Sequence, residues 1–224
     1  MKKLLTIGLV LLFVGSTLSV KSQEEMTKEQ KISYAIGANL GTQVAQDGIE
    51  LNLDVLTQGV RDAMAGQNKF TDEQMQEAFM MLQQEMQAKK NSAIAVEKEK
   101  GRIFLEENKK NPDVKVTPSG LQYKVITMGT GEKPAATNTV TVKYKGTLLD
   151  GTVFDSTEKQ GGEPIQFPLN GVIPGWTEGV QLMPTGSKFI FYIPSDLAYG
   201  DRGAGPQIPG GATLIFEIEL ISFK

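Results

Sequence analysis

The chain has 224 residues, 22% of them charged, with a net charge of −3 and neither histidine nor cysteine. That length holds one substantial core and a smaller second unit, and the balanced charge offers no basic field for nucleic acid, so no nucleic-acid partner is expected. Without imidazoles or thiols, cysteine nucleophiles, serine–histidine pairs and zinc fingers are excluded, and any catalysis is expected to be mostly non-covalent, with carboxylates as the ready acid–base groups and no metal or cofactor.

The N-terminus reads MKKLLTIGLVLLFVGSTLSVKSQEE. Two lysines, a short apolar run and small residues before a charged segment form a secretory signal pattern, assigned to residues 1–22 with a cut ahead of Gln23. The apolar run is shorter than the roughly 18 to 20 residues that a retained anchor needs. No cysteine follows it, so a lipoprotein anchor is not available. The mature chain is expected to be exported and soluble, and periplasmic or outer-membrane associated in a Gram-negative cell.

From Thr27 the pattern is helical. Thr27 and Gln30 have capping-box spacing, and Ile32, Ile36, Leu40 and Val44 repeat every four residues until Asp47-Gly48. A second amphipathic run carries Leu53, Leu56, Val60 and Met64 and stops at Gly66. A third helix starts at Thr71 with the same capping spacing, tolerates Gly101, and meets no breaker before Asn111-Pro112, a rod on the order of 60 Å. Met75, Phe79, Leu82 and Met86 give its first half an apolar seam, which two short helices can hardly cover and which favours a second chain. The later half, rich in Glu and Lys, reads as a solvated spacer. These patterns divide the helical part into a segment at 23–70 and a connecting helix at 71–111.

After Pro112 the texture becomes β with one helix. Strands are expected near 121–126, 139–146, 165–169, 187–193 and 212–223, and a short helix from Pro174 to Met183 puts Trp176, Val180 and Met183 on one face. The expected fold is α+β: an all-α N-terminal part with a long spacer helix, then a bent antiparallel sheet wrapped on a short helix over 112–224. Tyr144, Phe154, Val172, Ile173, Trp176, Tyr199 and Phe216 are spaced to line a pocket as well as to fill a core. Taken alone, Trp176 and Phe216 also fit a plain core, and Asp155 also fits an Asx-turn capping its own loop.

Five segments carry a definite resemblance: VTVKYKGTLLDGTVFDS at 140–156, FPLNGVIPGWTEGVQLM at 167–183, IPSDLAYG at 193–200, IP at 208–209 and ATLIFEIEL at 212–220. In this order and at these separations they resemble the FKBP-type peptidyl-prolyl isomerase domain. Upstream, SYAIGANLG at 33–41 and GIELNLDVLTQGVRDAMAG at 48–66 resemble the helical dimerisation segment of its macrophage infectivity potentiator subgroup.

The resemblance implies a peptidyl-prolyl cis–trans isomerase that serves proline-containing polypeptides as a homodimeric folding catalyst, or alternatively a non-catalytic peptide-binding chaperone using the same pocket. It implies Trp176 as the floor under the proline ring, with Phe154, Val172 and Phe216 as walls and Tyr144, Ile165 and Ile208 completing the substrate pocket. The Ile173 N–H and the Tyr199 hydroxyl would hold substrate carbonyls, and Asp155 would orient polar groups near the twisting bond. Macrolide inhibitors are implied as further ligands. Three features depart from the family's habit: Ile165, where many relatives carry an aromatic, Gln207, often apolar, and the loop Ile208-Pro209-Gly210-Gly211, where relatives commonly have a second proline. The added glycine is expected to loosen that flap and weaken macrolide binding.

Overall fold

The computed structural model describes residues 26–224, so the signal segment expected at 1–22 lies outside the described residues. The described residues divide into two compact units, one up to Met75 and the other Gln76–Lys224.

In the first unit, α1 spans Lys28–Gln46 and α2 spans Leu53–Met64. Each helix starts where a side chain satisfies otherwise orphaned amides. Thr27 and Gln30 form the capping box, and Asn52 Oδ1 accepts from the amides of Asp54 and Val55, both at 3.0 Å. Gly48 and Gly66, which follow the two helices, have φ of 63° and 67°. No residue of α1 or α2 is buried. Ile36, Leu53 and Met64 are 67%, 70% and 86% exposed, so both helices leave their apolar stripes uncovered.

The third helix, α3, spans Asp72–Asn108, with Thr71 and Gln74 exchanging capping hydrogen bonds of 2.9 and 3.3 Å. Within the second unit its later half is not the solvated spacer expected from its charge. Gly101 is buried, and Ile94, Phe104, Leu105 and Asn108 are half-buried at helical spacing. The Leu105 carbonyl accepts from Gln122 Nε2, Asn108 Nδ2 donates to Gln122 Oε1, and Phe104 meets Tyr192 with ring centres 5.8 Å apart.

The remainder of this unit is an antiparallel sheet. Its strands are β1 (Val114–Val116), β2 (Gln122–Thr127), β3 (Thr139–Thr147), β4 (Val153–Ser156), β5 (Ile165–Pro168), β6 (Lys188–Ile193) and β7 (Leu214–Phe223). They run in the order β1-β2-β6-β7-β3-β4, with β5 also paired to β3. β1 and β4 are additional to the expected strands; each is too short for a period of two to stand out.

One helix, α4, covers Pro174–Val180. It ends before the expected Met183 because Leu182 and Met183 donate to carbonyls only three residues back, a tightened turn leading into Pro184. Val140, Val142 and Tyr144 of β3, Phe189, Phe191 and Ile193 of β6, and Leu214, Phe216, Ile218 and Leu220 of β7 bury against Trp176, Val180 and Met183. Each fully buried side chain of this kind stabilises the fold by about 1.5–3 kcal/mol. Close approach of helix and sheet depends on Gly179, where a Cβ would stand 2.6 Å from the Phe191 ring.

Candidate active site

The β3–β4 hairpin builds one side of the site. Leu148 and Thr152 close the turn with a 3.0 Å hydrogen bond, Asp150 Oδ1 accepts from the Thr152 amide at 2.9 Å, and Gly151 takes the positive φ of 86° that the turn requires. The register sets Gly146 opposite Asp155. A Cβ on Gly146 would stand 2.6 Å from the Phe154 ring and 2.7 Å from the Phe216 ring, so the bare backbone there makes room for two aromatic walls.

A cavity of about 600 Å³ opens between this hairpin, the start of α4 and the loop before β7. It is lined by Tyr144, Phe154, Asp155, Val172, Ile173, Trp176, Tyr199, Ile208 and Phe216, together with Phe167, Gly171 and the run 204–207. Trp176, 4% exposed, meets Tyr144, Phe167 and Phe216 edge-on, with ring centres 5.2, 5.6 and 5.2 Å away. Phe154 and Phe216 meet edge-on at 5.4 Å. Such contacts add about 0.5–1.5 kcal/mol each beyond burial and hold the rings in defined planes. The buried Trp176 Nε1 has no hydrogen-bond partner among the described residues.

Asp155 is the only carboxylate among the lining residues. Its Oδ2 accepts from the Tyr144 hydroxyl at 2.6 Å, its Oδ1 accepts from Gln160 Nε2 at 2.9 Å, and Gln160 Nε2 also donates to the Tyr144 oxygen at 3.1 Å. These partners are side chains from β3 and the turn after β4, rather than the backbone of its own loop. Burial, and after it the hydrogen bond to Asp155, pushes the Tyr144 phenol far above its ordinary value; burial and then the Asp155 charge raise Tyr199. Both phenols therefore stay protonated as hydrogen-bond donors at neutral pH. Ile173 is the N-cap of α4, its carbonyl accepting from the amides of Trp176 and Thr177.

Of the residues singled out from sequence, Ile165 alone does not line the cavity. It lies in β5, half-buried against the core. Phe167 lies two residues further along the same strand face and meets Tyr144 and Trp176, so the wall expected from Ile165 comes from Phe167. Gln160, the second anchor of Asp155, was not legible, because a short turn five residues downstream brings it back.

The flap is the loop from Gly200 to Gly211. Gly203 and Gly211 have φ of 68° and 82°, Ala204 and Ile208 exchange hydrogen bonds of 2.9 and 3.2 Å, and the Gly211 amide donates to the Gly200 carbonyl at 2.9 Å. These bonds tie the two ends of the loop together.

Comparison with known proteins agrees with this architecture. Residues 29–125 match the domain amino terminal to FKBP-type peptidyl-prolyl isomerase, and residues 113–221 match FKBP-type peptidyl-prolyl cis-trans isomerase. The chain is 46% identical to outer membrane protein MIP of Legionella longbeachae over 99% of this chain and 97% of that protein. It is 44% identical to the FKBP-type 22 kDa peptidyl-prolyl cis-trans isomerase of Escherichia coli (strain K12), over 87% and 95%. The crystal structure of FkpA from Escherichia coli superposes with a TM-score of 0.71 at 39% identity, covering 88% of this chain and 97% of that one. Sequence, fold and cavity agree: the chain belongs to the FKBP-type peptidyl-prolyl cis-trans isomerase family, in the branch that carries the helical amino-terminal domain.

Proposed function

We propose that residues 23–224 act as an exported, homodimeric peptidyl-prolyl cis–trans isomerase on proline-containing polypeptides, with residues 1–22 as the export signal. The observation that carries this reading is the aromatic cavity over Trp176 with one carboxylate, Asp155, tethered at its edge. Rotation about an X-Pro bond crosses a barrier of about 20 kcal/mol but makes and breaks no covalent bond, so no nucleophile is needed. An acceleration of about 10⁵ requires roughly 7 kcal/mol.

The planar amide is more charge-separated than the twisted one, so transfer into a cavity walled by Phe154, Phe167, Trp176 and Phe216 disfavours the ground state more than the transition state. Trp176 supports the proline ring. The Ile173 N–H and the Tyr199 hydroxyl hold the flanking carbonyls, and Asp155, fixed by Tyr144 and Gln160, aligns polar groups beside the twisting bond. None of them acts as a general base.

The homodimer is supported by the uncovered apolar stripes of α1 and α2. Helices of 19 and 12 residues with no buried residue have too little packing to persist alone in water. A second copy of the same stripes supplies the missing surface, and a stable interface of that kind buries about 1,000 Å² or more. Residues 71–111 then connect the dimerisation segment to the isomerase domain at 112–224. Macrolide inhibitors fit the same apolar cavity as competitors of the peptide. Light scattering on residues 23–224 tests the assembly, with a dimer expected at micromolar concentration and a monomer contradicting it. A protease-coupled assay on short X-Pro peptides tests the activity.

A further inference from the structure

We infer that Ile94, Lys98 and Gly101 of α3 are positioning residues for the cavity, holding the 200–211 loop that forms one of its walls. The inference rests on reading the cavity as the isomerase site.

The loop has two faces. Toward the cavity it presents 204–208. Toward the helix it presents Asp201, Gly210 and Gly211. A Cβ on Gly211 would stand 2.7 Å from the Ile94 carbonyl oxygen and 3.1 Å from Lys98 Cγ, and one on Gly210 would stand 3.0 Å from Ile94 Cγ1. The Lys98 ammonium pairs with the Asp201 carboxylate, which raises the pKa of the ammonium. Nearly one turn further on, Gly101 is buried against Thr213, and a Cβ there would collide with the Thr213 Oγ1. Positions 94, 98 and 101 are spaced four and three apart, so they share one helix face. That face holds the loop at its start, near its end, and just beyond it before β7.

The consequence is energetic. Gly203, Gly205, Gly210 and Gly211 give the free loop much backbone entropy to lose. With the helix in place that ordering is complete before substrate arrives; without it, substrate binding must supply it. Tyr144 and Asp155 lie on β3 and β4, outside these contacts, so the steps at the twisting bond are untouched. Loss of the helix contacts should therefore raise KM and leave kcat nearly unchanged.

The test uses the full mature chain and four variants: Ile94→Ala with Lys98→Ala, the conservative pair Ile94→Val with Lys98→Arg, the single Lys98→Met, and Arg102→Ala as a control on the exposed side of α3. Steady-state kinetics on a short X-Pro peptide and amide hydrogen exchange at Ala204 and Ile208 are read together. The double alanine variant should raise KM about fivefold with kcat within about twofold of wild type, and should speed exchange at both amides. The conservative pair should restore both readouts, and Arg102→Ala should move neither.

Unchanged KM and exchange in the double alanine variant overturn the inference, as does a fall in kcat at constant KM. Failure of the conservative pair to restore either readout overturns it too. If the double variant does not fold, Lys98→Met decides: faster exchange at Ile208 with raised KM supports the inference, and wild-type values overturn it. An inactive wild-type chain would refute the isomerase reading, while the exchange data would still decide whether the helix holds the loop.

Discussion

Tyr144 and Asp155 face each other across the β3–β4 hairpin, the phenol donating a 2.6 Å hydrogen bond to Asp155 Oδ2. Gln160 holds the other carboxylate oxygen, so the two anchors are separable. Tyr144→Phe should leave Asp155 bound by Gln160 and lower kcat/KM about tenfold, roughly 1.4 kcal/mol of transition-state stabilisation. Asp155→Ala should cost more, with the fold retained. Steady-state kinetics beside thermal unfolding check this, and a fully active Asp155→Ala would withdraw the role given to that residue.

Gly146→Ala should damage the cavity from behind. Its new methyl would fall 2.6 Å from the Phe154 ring and 2.7 Å from the Phe216 ring, and neither ring is the free end of a flexible chain. Overpacking of this kind costs about 1–3 kcal/mol. Urea unfolding should show that loss together with a fall in kcat/KM, because both walls must move.

Part of the alkaline pH profile follows from the two raised phenols that line the cavity; burial raises Tyr192 as well. Tyr144 and Tyr199 both have pKa values above the ordinary 10.0, chiefly through burial. Between the unfolded and folded values the unfolded chain has released protons that the native state keeps, so stability falls as pH rises there. The stabilisation from these groups is present below about pH 10 and is lost above it. Equilibrium unfolding should therefore show no pH dependence from either tyrosine between about pH 7 and 9, then a decline above about pH 10. Tyr144→Phe should flatten that decline.

A fragment of residues 112–224 should be less stable than one of residues 88–224. The longer piece keeps Gln122 bonded to Leu105 and Asn108, Phe104 on Tyr192, and Gly101 on Thr213. Losing two side-chain hydrogen bonds and this apolar contact should cost about 2 kcal/mol or more. Denaturant unfolding of the two fragments makes the comparison.

The lining of the cavity was largely legible because its residues sit in segments with a fixed order and spacing: Tyr144, Phe154 and Asp155 around one hairpin, Val172, Ile173 and Trp176 at one helix start. Phe167 was missed in favour of Ile165 because a period of two places both on one strand face and leaves open which reaches the cavity. The docking of α3 was missed for a different reason. Some of its contacts run through Gly101, which carries no hydropathy signal, and through Lys98, whose stem packs while its charge reads as solvent-facing, and the apolar Ile94, Phe104 and Leu105 lie among charged residues that mask their stripe. The uncovered faces of α1 and α2 were legible as apolar stripes, since each repeats at helical spacing over three or more turns.

The central claim, that this cavity turns over X-Pro bonds, is tested most directly by exchange NMR on a short peptide with an apolar residue before proline, mixed with the folded mature chain without metal or cofactor. The account predicts cis–trans exchange accelerated far beyond the spontaneous rate of tens to hundreds of seconds, and lost selectively in Asp155→Ala. Exchange that stays at the spontaneous rate with folded wild-type protein would contradict it.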